Sequence, residues 1–451
     1  MAPCGSEIRT WNGPMMIRLF LKIPFICFVL LMGLASMAEA QLRVRVTEGQ
    51  VDPIRLALIP SSSQSDEQLA RDLDGLIRYD LDSSGLFFLP EPASFLEAPA
   101  IGAIPNPVNW QPLGIEAVVQ LSIEANATGQ VDARFEIWNM LNGEKLDEGR
   151  FATEAKFWRR IGHKIADRIY SQLTGEAGYF DSRIVYVSER GPRNARVKQL
   201  AIMDTDGQNH ALLPTQGEGV MTPRFAPNAQ KVTYMAFKDR QLKVFILDLD
   251  NGTQREVGNF KGMTFAPRFD ATGQKLLVNH SRGGNADIYE IDLATGAERR
   301  LTNHPAIDTS ASASPDGEFV VFNSDRGGSQ QLYVLNRKTG TIQRISYGDG
   351  RYATPVWSPR DDLIAFTKMN KGQFSIGVMR PDGTSERILA TSFLDESPVW
   401  SPNGRVIMFY RQSPGENGRA ELYSVDITGR NLRKVPTAGE GSDPAWSALL
   451  P

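Results

Sequence analysis

A period in the low forties runs through the C-terminal two-thirds of the chain and limits its fold more than any other feature. Five tracts share one phase: Pro223-Arg-Phe-Ala-Pro-Asn, Pro267-Arg-Phe-Asp-Ala-Thr-Gly, Ala313-Ser-Pro-Asp-Gly, Trp357-Ser-Pro-Arg-Asp and Trp400-Ser-Pro-Asn-Gly. Their equivalent positions Pro227, Ala271, Pro315, Pro359 and Pro402 lie 44, 44, 44 and 43 residues apart. A second marker agrees, with Phe245, Tyr289 and Tyr333 recurring every 44 residues and Tyr423 in the last unit. Four short strands repeated at this period predict the blades of a β-propeller.

Within each unit a short strand runs into a Ser-Pro-Asp-Gly-like turn, where Pro and Gly supply the dihedrals. A β-rich strand follows, such as Phe319-Val-Val-Phe-Asn-Ser, then an alternating one, such as Ile288-Tyr-Glu-Ile-Asp-Leu. The third strand ends at a tight turn (Asp206-Gly207, Asn251-Gly252, Thr295-Gly296, Thr339-Gly340, Asp382-Gly383 or Thr428-Gly429), and a polar fourth strand forms the outer edge. Second strands and first strands each number six. The first unit has no first strand before it, and Asp443-Pro-Ala-Trp446-Ser has no second strand after it. Pairing the two makes a six-bladed ring closed by the C-terminal strand, with no open edge.

Residues 41–178 lack the period and read as a small α/β domain. Strands are predicted at Leu42–Thr47, Ile54–Pro60, Phe87–Leu89, Ala117–Glu124, Val131–Met140 and Leu146–Ala152, and helices at Asp66–Leu81 and Glu154–Leu173. Trp158, Ile161, Ile165 and Ile169 mark the buried face of the second helix, which ends at Gly175. Pro90–Pro112, with six prolines, reads as a long irregular connection. The fold class is therefore two-domain: a small N-terminal α/β domain (41–178) followed by an all-β six-bladed propeller (179–451).

The first forty residues differ again. Arg9, Arg18 and Lys22 precede the apolar run Ile23–Leu34, and Ser36-Met37-Ala38-Glu39-Ala40 follows. This is the pattern of a secretory signal peptide cleaved after Ala40, with Met1 or Met15/Met16 as the start. The run falls short of the roughly 20 residues of a spanning helix. Cys4 and Cys27, the only cysteines, both lie within the segment that cleavage removes. The mature chain then has no disulfide and no thiolate. Cleavage removes three basic and two acidic residues, leaving 46 basic against 50 acidic. With no basic block, nucleic acid is not expected as a partner. Periplasmic localisation is expected, with no membrane span in the mature form.

Motifs for catalysis are missing. There is no G-x-S-x-G, H-E-x-x-H or G-x-G-x-x-G, and no Gly-Lys pair for a P-loop. His163, His210, His280 and His304 are scattered, and Asp204/Asp206 and Asp248/Asp250 lack the glutamate of an EF-hand loop. These carboxylates read as turn caps. Arg282-Gly-Gly and Arg326-Gly-Gly follow second strands and read as hairpin pieces, and Trp357, Trp400 and Trp446 as core. No catalytic residue, cofactor or metal site is expected.

Trp-Ser-Pro-Asp/Asn-Gly followed by Ile-Tyr-x-x-Asp and Arg-x-Leu-Thr resembles the TolB-type propeller repeat. More specific are Ser392-Phe-Leu-Asp-Glu-Ser-Pro398 and the junction Ile165-Ala-Asp-x-Ile-Tyr170-x-x-Leu-Thr-Gly175, which continues as Gly178-Tyr-Phe-x-x-Arg-Ile184-x-Tyr-Val. With these the whole mature chain resembles the TolB family. The resemblance implies a non-enzymatic periplasmic component of the Tol-Pal system, a monomer on its own, that links the inner-membrane protein TolA to the outer-membrane lipoprotein Pal. It also implies a role in outer-membrane integrity and in invagination during division. By the same resemblance TolA binds the mature N-terminus, here Gln41, Leu42, Arg43, Val44, Arg45, Val46 and Thr47, whose alternation suits strand addition. Pal binds the propeller in that family. Geometry places its face on the outer-to-inner connections, with candidates Phe260, Lys261, Met263, His304, Asp308, Tyr347, Arg351, Tyr352, Phe393, Leu394, Asp395 and Glu396. Phe393-Leu394 reads as an apolar anchor with Asp395-Glu396 as its acidic rim, or else Phe393 folds inward over the blade end. The alternative function is a propeller enzyme or ligand-binding propeller acting on a periplasmic polysaccharide or peptide.

Overall fold

The structure, a computed structural model, describes residues 46–47, 50–192, 195–258, 264–282 and 285–451. The expected signal peptide and Gln41–Arg45 lie outside them. Val46–Thr47 (β1) and Gln50–Val51 (β2) form a short antiparallel hairpin.

A five-stranded sheet follows, built from Ile54–Leu58 (β3), Phe87–Phe88 (β4), Ala117–Ala125 (β5), Gln130–Asn139 (β6) and Lys145–Glu154 (β7) in the order β4-β3-β5-β6-β7. β4 and β5 run parallel to β3, and β5, β6 and β7 form an antiparallel meander. The helices are Glu67–Ser83 (α1), the short Pro107–Trp110 (α2) and Trp158–Thr174 (α3). Asp66 caps α1 by accepting from the Leu69 amide, and Gly175 ends α3 at φ 75°. Leu73, Leu76 and Ile77 of α1 are buried, as are Ile161, Ile165 and Ile169 of α3. Gly162 lets the two helices approach, since a Cβ there would press on Leu73 and Leu76. The six-proline connection is ordered by packing against the sheet. Trp110, Ile115 and Phe95 cluster with Ala57, Val118 and Trp138. The Gln120 amide donates to the carbonyls of Pro99, Ala100 and Ala103.

The rest is six four-stranded blades. Blades 2 to 6 are continuous, with inner strands Glu218–Ala226, Thr264–Phe269, Asp308–Ala313, Arg351–Trp357 and Leu394–Trp400. In blade 1 the inner strand is the C-terminal Glu440–Trp446, antiparallel to Arg183–Arg190, as the repeat count predicts. Blades adhere face to face: Val185, Val187 and Leu200 of blade 1 pack with Val232, Tyr234 and Phe245 of blade 2. The periodic aromatics sit at equivalent registers in the third strands. Phe245, Tyr333 and Tyr423 lie opposite Tyr234, Phe322 and Phe409 with their rings stacked.

One feature recurs in every blade. Thr222, Ala266, Ser310, Thr354, Ser397 and Asp443 all adopt positive φ, between 45° and 57°, and each sits at a register break of its inner strand. A left-handed residue with a side chain costs about 1–2 kcal/mol. Six of them at one level are imposed by the ring, since the bulge turns each inner strand to line the channel. Among the described residues no helix is long and apolar enough to cross a membrane.

Candidate functional site: the two propeller faces and the domain junction

The first and third turns of every blade lie on one face of the ring, and the N-terminal domain docks there. Asn431 donates to the Ser83 carbonyl (2.7 Å), Asn403 to that of Ala177 (2.7 Å), and Arg433 stacks over Tyr79. The junction motif builds this contact. Asp167 accepts from the amides of Phe180 (2.8 Å) and Asp181 (3.0 Å), and a Cβ on Gly178 would overlap its carboxylate. Tyr179 meets Tyr170, Phe180 and the C-terminal Trp446 ring to ring. Trp446 donates to Ser182 (2.9 Å), and Glu176 pairs with Arg360 (2.8 Å).

Beneath lies a buried charge cluster. His163 of α3 and Asp80 of α1 are 2.7 Å apart through Nδ1, and Nε2 lies 3.9 Å from Asp204 of blade 1. Arg159 pairs with Asp206 and reaches Asp204 at 3.6 Å. Burial acts to lower the His163 value, but the Asp80 and Asp204 carboxylates outweigh it and push it up to about 10. His163, Asp204 and Asp206 are close enough to share a cation. Here their positive partners are Arg159 and the imidazolium itself. Asp206 does cap its turn as expected, at the Gln208 amide, but its second role needed the N-terminal domain in place.

The opposite face carries the outer-to-inner connections. Phe260, Lys261 and Met263 lie outside the described residues. Tyr347 and Phe393 are open to solvent (71% and 52%), Arg351 is exposed, and His304 and Leu394 are partly so. The reading of Phe393 as turned inward is thus corrected. Ile307, 51% exposed in the preceding connection, joins them and was missed by sequence reasoning. Its place one connection before Tyr347 was the available signal.

The expected acidic rim is not there. Asp395 is fully buried, held by Arg411 through Nε (2.7 Å) and Nη2 (2.8 Å) and by the Ser392 hydroxyl. Asp308 repeats this at the same phase two blades earlier, buried against Arg326 (2.8 Å). Tyr352 is buried at the same phase, donating to Glu386 with Lys368 over its ring. Glu396 is half-covered, accepting from Tyr410 (2.8 Å), and burial raises its value. The reason is common to all. Asp308, Tyr352 and Asp395 stand two residues before the positive-φ position, where the inner strand has already entered the ring.

Comparison with known proteins agrees over most of the chain. Residues 42–146 match the TolB amino-terminal domain, and residues 170–450 match the TolB beta propeller domain. The chain is 47% identical over 436 residues to the Tol-Pal system protein TolB of Paramagnetospirillum magneticum, covering 95% of this chain and 97% of that protein. It is 41% identical over 419 residues to that of Gluconobacter oxydans, covering 92% and 90%. The crystal structure of TolB from Acinetobacter baumannii superimposes with a TM-score of 0.78 at 30% identity, covering 88% and 96%.

Proposed function

Because the chain belongs to the TolB family, and is by that a component of the Tol-Pal system, we propose that it is a non-enzymatic periplasmic adaptor linking TolA and Pal. The exposed arc Ile307, Tyr347 and Phe393 carries this reading. Large apolar side chains open to water on three successive connections are the mark of a docking surface, and the N-terminal domain occupies the other face. Pal belongs on this arc, with Arg351 and His304 at its rim. The buried candidates Asp308, Tyr352 and Asp395 hold the connections in shape.

TolA belongs on the segment Gln41–Thr47 by strand addition, which uses backbone groups and tolerates a loose side-chain match. Residues 1–40 act as the export signal, residues 41–178 and 179–451 are the working domains, and the bridge serves outer-membrane integrity and invagination at division. The test is capture from envelope extract with the chain beginning at Gln41. Both TolA and Pal are retained, and the Tyr347→Glu/Phe393→Glu variant retains TolA alone. Retention of neither protein by the unsubstituted chain, or turnover of a sugar polymer by it, would sink the adaptor reading.

A further inference from the structure

The central channel is chemically lopsided. Two residues after each positive-φ position the inner strands place one side chain at a common level, fixed by the pairings Arg224↔Thr233, Arg268↔Leu277, Ser312↔Val321, Val356↔Ala365, Val399↔Met408 and Ala445↔Val185. Half of this ring is two adjacent arginines and a serine, and the other half is aliphatic. All six line a cavity of about 350 Å³.

Asp443 offsets part of the charge of Arg224, whereas among the described residues no carboxylate offsets that of Arg268. Among the described residues neither forms an ion pair. Arg224, 7% exposed, donates to the Pro223 carbonyl (2.6 Å) and lies 3.5 Å from that of Pro444. The nearby carboxylates are engaged elsewhere. Asp443 accepts from Ser397 (2.9 Å), and Asp270 accepts from Thr272 (2.9 Å) and the Lys275 amide (3.1 Å). Burial lowers both guanidinium values, against the charge of Asp443 at Arg224, and more so at Arg268, where the charge of Arg224 acts in the same direction. Two buried cations side by side, with one carboxylate near the first and no ion pair at either, are costly unless an anion joins them. An oxyanion accepts two N–H groups from each guanidinium fork.

We infer that the channel binds a small organic anion, its phosphate or carboxylate on Arg224 and Arg268 and its apolar body against Val356, Val399 and Ala445. The site is independent of the partner-binding arc, which lies on the other face. Inorganic phosphate would fill only a fraction of the cavity, so the apolar half selects for a ligand with a carbon skeleton.

The test is melting of the chain beginning at Gln41 with phenyl phosphate, benzoate and inorganic phosphate at constant ionic strength. At least one organic anion raises the melting temperature more than inorganic phosphate does, and the stronger of the two identifies the head group. Arg268→Met weakens it at least about tenfold, about 1.4 kcal/mol. Arg299→Gln, on an outer strand, leaves the shift intact. No shift with either organic anion, or an undiminished one in Arg268→Met, overturns the site. Should Arg268→Met fail to fold, crystals of the unsubstituted chain with para-iodobenzoate decide: iodine beside Val356 and Val399 supports the site, and iodine only elsewhere ends it.

Discussion

Single residues here answer to their place in the ring before their chemistry. Asp395 looks like a surface carboxylate in Phe-Leu-Asp-Glu, yet Arg411 grips it at both oxygens with no solvent contact. Removing one member of such a pair strands the other charge. Asp395→Asn should therefore cost about 3–5 kcal/mol in denaturant unfolding, whereas Phe393→Ala should cost little. Equal stabilities for Asp395→Asn and the unsubstituted chain would contradict the buried pair. His163 makes a pH-dependent contribution. Its folded value, about 10, is above the ordinary 6.5, so the stabilisation is complete below about pH 6.5 and fades as pH rises through 10. His163→Gln should be most damaging near pH 6, and its deficit should shrink towards pH 10 in unfolding titrations. A deficit constant across that range would mean the imidazole is neutral in the fold.

At the scale of elements, the decisive piece is the C-terminal strand Glu440–Trp446. It supplies blade 1 with its inner strand, and Trp446, Ser447 and Leu450 bond to Ser182, Arg183 and Asp181 at the domain junction. Ending the chain at residue 439 should leave an unpaired edge and strip the junction at once. The truncated protein should aggregate or melt well below the full chain in calorimetry, and an unchanged melting temperature would rule out this closure. The outer edge of blade 6 is less idle than its polar sequence indicates. Arg433 stacks on Tyr79 and lies 3.9 Å from Asp82, so it belongs to the domain contact.

For the whole molecule, the two domains meet on one propeller face while the exposed apolar arc lies on the other. Deleting Gln41–Thr47 should abolish TolA binding and leave Pal affinity within about tenfold, or 1.4 kcal/mol, by calorimetry. TolA binding that survives the deletion would place its recognition segment elsewhere in the chain.

The periodic tracts alone were enough for blade number, strand order and closure. A 44-residue period holding four short strands per unit is that of equal blades set round an axis, and the first unit's missing inner strand has one candidate, the strand left over at the end. Both long helices and the sheet strands were also legible, because amphipathic spacing is a local property. What the period could not reveal is the depth of each position. Asp308, Tyr352 and Asp395 share a phase, so one structure exposes all three as interior, but no residue type among them says so. The positive-φ ring was equally silent, for Thr, Ala and Ser carry no left-handed signature as glycine would, and Asp443 is the one member of a type that favours it. Arg224 and Arg268, 44 residues apart, become neighbours only when adjacent blades bring their inner strands to one axis. His163 meets Asp204 only when α3 docks on blade 1. Local pattern dictates elements and their repetition, whereas burial and charge pairing depend on which surfaces meet, and closing the ring and docking the domain decided that.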